Sequence, residues 1–120
     1  MKAVSFVIAL EMTMENLPKN IQSVIAFLKE RTGSDAAIIL FGSRAGRSVH
    51  RNADFDIGIA VSPKLSWKQF ASLKTDAEEL AWPYRLDLVD LTRAPDEFLK
   101  VIEHEMVLLS GIWKGGNYVR

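Results

Sequence analysis

Cysteine is missing from this chain altogether, which rules out disulfides, thiolate metal sites and covalent catalysis through a thiol. Histidine is nearly missing: His50 and His104 stand apart, without the spacing of a zinc site. Excess charge is missing too, since fifteen basic residues balance fifteen acidic ones. Strong non-specific binding to nucleic acid depends on a basic surface and is not expected. No apolar run reaches the length of a membrane-spanning helix. Residues 3–10 are apolar behind Lys2, but Glu11 follows directly and no small-residue cleavage site closes the segment. Residues 1–16 therefore read as an N-terminal extension rather than a leader peptide. These absences point to the cytoplasm. They also point to one domain, because 120 residues suffice for a real core but leave little room for a second substrate-binding module.

What is present is concentrated between residues 36 and 61. Residues 36–41 are apolar, partly β-branched and stopped by Gly42, as a short buried strand should be. Gly42 allows a sharp turn and close approach to the backbone. Ser43 is a good N-cap, and a helix starting there would aim free N–H groups at an anion. Residues 53–61 read as a second strand, with Asp54 and Asp56 on one face and Phe55, Ile57 and Ile59 on the core side. Two such carboxylates can lean together onto a hard divalent cation such as Mg²⁺, which bridges protein carboxylates to substrate phosphates. Residues 84–91 alternate as a third strand with Asp87 in its middle. Buried there, Asp87 would need a cation: a metal shared with Asp54 and Asp56, or a salt bridge to Arg85. A solvated edge position would remove the need. Asp90 lies at the strand's end, where turn residues and helix caps are usual.

The flanking segments read as helices. Leu17, Ile21, Val24, Ile25 and Leu28 fall at helical spacing, with Pro18 in the first turn and Gly33 at the stop. Ser66, or Ser62 before Pro63, caps a second helix over residues 67–81. Its Phe70, Leu73, Ala77 and Leu80 line one face, and Lys68, Lys74, Asp76, Glu78 and Glu79 the solvated side. Pro95 opens a last helix whose stripe is Phe98, Val101, Ile102, Met106 and Leu109, with His104 as a surface or packing residue. Residues 111–120 form a tail without fixed structure of its own. Trp67 and Trp82 are expected to cover the core at the two ends of the second helix, and Trp113 to be the aromatic free for a partner.

Together, Leu40-Phe41-Gly42-Ser43-Arg44-Ala45, the ten residues separating Ser43 from Asp54, Asp54-Phe55-Asp56 and Leu86-Asp87-Leu88-Val89-Asp90 resemble the minimal nucleotidyltransferases of the DNA polymerase β-like superfamily. The resemblance covers roughly residues 17–109. It implies an α/β (α+β) fold, a single nucleotidyltransferase domain over residues 17–110 with a small mixed β-sheet flanked by helices. It also implies that Gly42, Ser43 and Arg44 bind the nucleotide, that Asp54, Asp56 and Asp87 are catalytic metal ligands for two Mg²⁺ ions, and that Asp87 helps activate the acceptor hydroxyl. Two positions depart from the family pattern. Gly-Ser-Arg-Ala-Arg-Gly is common there, whereas this chain continues Ala45-Gly46-Arg47, and Ala53 stands where many members have serine. Neither change removes a ligand or the turn.

The expected activity is transfer of a nucleoside monophosphate, AMP from ATP, to an acceptor hydroxyl. Because the length leaves no room for an acceptor-selecting module, the acceptor is expected on another chain. Relatives of this size commonly act as antitoxins paired with a small helical toxin of the HEPN type, which they silence by adding AMP. The competing expectation is a catalytically silent binding module that neutralises its partner by forming a complex. Homo-oligomerisation is compatible with either, and no membrane contact is expected.

Overall fold

The computed structural model describes residues 16–42, 54–116 and 118. Helix α1 (Lys19–Thr32) leads into β1 (Ala37–Phe41) and β2 (Phe55–Ala60). Helix α2 (Trp67–Leu80), β3 (Leu86–Asp90), a 3₁₀ turn (Leu91–Arg93), helix α3 (Asp96–Ile102) and β4 (Val107–Ser110) follow. The sheet order is β3-β2-β1-β4. Strand β1 is antiparallel to both β2 and β4, while β2 and β3 run parallel. A parallel pair needs a long crossover, and α2 supplies it. This is the expected α+β architecture, a small mixed sheet flanked by helices.

Local signals account for most boundaries. Pro18 caps α1, and Gly33 ends it at φ 97° with its N–H donated to the Lys29 carbonyl. Ser66 begins α2 through a reciprocal capping box with Gln69, which settles the choice between Ser62 and Ser66. Alternation along β1 divides the core in two. Ile38 and Leu40 join Phe55, Ile57 and Ile59 beneath α1 and α2. Ala37, Ile39 and Phe41 face the other way, toward Leu91, Leu99, Ile102 and Met106. Strand β1 is therefore buried at all five positions.

Three expectations need correction. The last helix ends at Ile102, and Val107–Ser110 is a strand that carries Leu109. A short apolar run satisfies either period, and pairing beside β1 decides it. Trp67 and Trp82 do not cover the core: they are 71% and 76% exposed. The capping box sets Trp67 outward, where its ring stacks on the Arg93 guanidinium at 4.1 Å, and the Trp82 carbonyl is held by the Asn20 side chain. Trp113 instead turns inward, donating from Nε1 to Glu103 Oε2 at 2.8 Å and packing on Tyr118. Residues 111–116 and Tyr118 form no helix or strand. They are nevertheless tied down, with the Ile112 N–H donated to the Asp35 carbonyl and the buried Tyr118 hydroxyl donated to the Ile112 carbonyl.

Candidate active site

Strand register assembles the acidic residues at one end of the sheet. Phe41 in β1 pairs with Asp56 in β2, and Asp56 pairs with Asp87 in β3. Residues in register on adjacent strands stand about 5 Å apart and share a face, so Asp56 and Asp87 are side by side. Asp54 precedes β2 by one residue and alternates onto that face with Asp56. The Phe55 N–H donated to the Arg85 carbonyl at 2.8 Å fastens β3 to β2 at this level. Phe41, with Phe98 of α3 edge-on at 5.9 Å, forms an aromatic wall next to Asp56.

Gly42 closes the site from the β1 side. Its φ is 74°, and a Cβ placed on it would lie 2.2 Å from Asp56 Oδ2. The main chain at Gly42 and the Asp56 carboxylate therefore touch, and only glycine leaves the space. Burial pushes the Asp56 carboxyl above its ordinary pKa, and the charges of Asp87 and Asp54 push it further. Mutual repulsion of this kind is what a bound cation relieves.

The outer two carboxylates already have partners. Lys74 Nζ lies 2.8 Å from Asp87 Oδ1, and Arg85 Nε lies 3.5 Å from Asp54 Oδ1. Asp87 is thus neither buried nor paired with Arg85, as the strand pattern had allowed. It is 57% exposed, because β3 is an edge strand. Among the described residues no group of three or more His, Asp or Glu stands ready to enclose a metal ion. The donor chemistry still fits a hard divalent cation, with carboxylate oxygens alone, one of them half-buried and repelled by the others.

Asp90 proves structural. Its Oδ1 accepts from the Thr92 N–H, and its Oδ2 holds Arg93. Ser43 and Arg44, expected at the nucleotide, lie outside the described residues, as do Arg47, His50 and Arg51. Sequence reading placed Lys74 and Glu78 on a solvated helix face. Their spacing does announce the 2.7 Å pair that they form, but nothing in the sequence announces Asp87, thirteen residues on.

No curated protein matches the chain. Several solved structures share its fold. One is the toxin–antitoxin MntA–HepT, at 23% identity and TM-score 0.60 over 78% of this chain and 72% of that one. Another is a tri-AMPylated Shewanella oneidensis HEPN toxin in complex with MNT antitoxin, at 23% identity and TM-score 0.61 over 78% and 71%. A third, a toxin–antitoxin with AMP-PNP, is 26% identical with TM-score 0.61 over 75% and 73%. A family model described as polymerase beta, nucleotidyltransferase matches residues 19–111, from the first turn of α1 to the residue after β4. The chain belongs to the polymerase β nucleotidyltransferase family.

Proposed function

We propose that this protein transfers AMP from ATP to a hydroxyl group of a partner protein, as the antitoxin of a HEPN-type toxin–antitoxin pair. The observation that carries the reading is the Asp56 carboxylate wedged against Gly42, with Asp87 in register beside it. Three carboxylates brought to one sheet end, next to a turn that tolerates no side chain, suit a metal-dependent nucleotidyltransferase. Support for the partner comes from the solved complexes of similar fold, among them one whose HEPN toxin is tri-AMPylated.

In this reading Asp54, Asp56 and Asp87 would hold two Mg²⁺ ions, and Gly42, Ser43 and Arg44 would bind the triphosphate. The metal, when bound, neutralises phosphate charge and lowers the acceptor's pKa. The protein's task is then mostly positioning. Asp87, on the exposed edge strand, is reachable by a second protein and takes the proton of the attacking hydroxyl. The acceptor oxygen bonds to the α-phosphorus, the bond from that phosphorus to the β-bridging oxygen breaks, and pyrophosphate leaves.

A second reading, neutralisation by complex formation without chemistry, draws on the ion pairs that already engage Asp54 and Asp87. One experiment separates the two. The protein is incubated with Mg²⁺ and α-labelled ATP, with and without the product of the neighbouring gene, next to an Asp54→Ala/Asp56→Ala double variant. Label on the neighbour that the variant abolishes establishes transfer. A stable complex that silences its partner without label, equally in both proteins, establishes masking.

A further inference from the structure

Lys74 projects from α2 toward the edge strand, and its ammonium has three acceptors. They are Glu78 Oε2 at 2.7 Å, Asp87 Oδ1 at 2.8 Å and the Leu88 carbonyl at 3.0 Å. Two of these lie outside the carboxylate site. Glu78 Oε2 also accepts the Leu88 N–H at 3.5 Å, so the Lys74–Glu78 pair braces β3 at the residue beside Asp87. The backbone under Asp87 is held, while its carboxylate remains more than half exposed. A lysine ammonium is charged at any working pH, and these three contacts fix where that charge sits. The Arg85–Asp54 pair differs, being longer and made by an arginine that is 83% exposed, and such surface pairs contribute little.

We infer that Lys74 is a positioning residue of the carboxylate site: it is the counter-charge that Asp87 gives up to a divalent cation, and it thereby sets how tightly that cation binds. The inference rests on the nucleotidyltransferase reading, in which Asp87 is a ligand. Because Glu78 and the Leu88 carbonyl keep their hold, Lys74 can release Asp87 without being stranded. Asp87 then turns inward toward Asp56 and Asp54. A bound cation must displace one contact of Lys74 and tolerate its nearby charge, so removing that charge tightens binding by about three- to tenfold.

The test titrates Mn²⁺ into the full chain and follows the electron paramagnetic resonance signal of the free ion. Wild type is compared with Lys74→Gln, which stays polar toward Glu78 and Leu88, with Lys74→Arg, which keeps the charge, and with Asp56→Asn. Lys74→Met serves as a second neutral variant should Lys74→Gln not fold. Several-fold tighter Mn²⁺ binding in the neutral variant, with Lys74→Arg near wild type, is the expected result. The Mg²⁺ concentration for half-maximal labelling should fall in parallel. Unchanged or weaker Mn²⁺ binding in a folded neutral variant overturns the role of Lys74 and leaves the site reading standing. Mn²⁺ binding that is undetectable in wild type, or indifferent to Asp56→Asn, overturns the site reading and the inference with it.

Discussion

Gly42 and Asp56 constrain each other more tightly than any other pair at the site. A methyl group at Gly42 would meet the Asp56 carboxylate and sit on a left-handed backbone, a conformation that costs an L-residue about 1–2 kcal/mol. Gly42→Ala should therefore abolish transfer and lower unfolding free energy by about that amount, read from labelling and urea denaturation. Asp56 itself opposes folding when ionised. Its folded pKa lies above the unfolded one, so the stability it contributes is complete below the unfolded pKa and is lost as pH rises through the folded value. At neutral pH and in EDTA, Asp56→Asn should melt higher than wild type while failing to transfer. The gap should close as pH falls through the acidic range, where Asp56 is protonated. The contact of Gly42 with Asp56 was half legible in the sequence: the glycine turn and the Asp-x-Asp spacing are local signals, whereas their touching depends on strand register. Lys74 was not legible, because only the folding of α2 over β3 brings it to Asp87.

Among the elements, the 3₁₀ turn after β3 is fastened to the end of β2 by one fully buried side chain. Thr92 Oγ accepts the Val61 N–H at 2.9 Å. Thr92→Val keeps the shape but leaves that N–H unpaired, and should cost about 1–3 kcal/mol in a urea melt. Loss of the Ser66 cap through Ser66→Ala should cost about 1 kcal/mol by the same measurement. Sequence reading found α1, α2 and the three strands that carry the acidic residues, because their periods are clean and their ends carry proline, serine or glycine. It missed β4, since Met106 and Leu109 continue the stripe of α3, while the short apolar run over residues 106–109 suits a strand as readily. Only the vacant side of β1 distinguishes the two. The misplaced tryptophans have a related origin: apolar character is visible in a sequence, but whether a side chain at or beyond the end of an element faces the core depends on contacts distant in the chain, such as Trp113 with Glu103.

For the whole molecule, cation binding and folding should be one equilibrium. A ligand taken only by the folded state at tenfold its Kd adds about 1.4 kcal/mol, so Mg²⁺ at that level should raise the melting temperature of wild type and leave Asp56→Asn unmoved. The position of Gly42 adds a consequence for motion. It follows a strand buried at every residue and paired on both sides, the kind of segment that exposes its amides only when the entire domain opens. In deuterium oxide the amides of Ile38, Ile39 and Leu40 should be among the last to exchange. Gly42, one residue beyond that slow segment, is thereby presented to the Asp56 carboxylate from a strand end that is fixed until the domain opens.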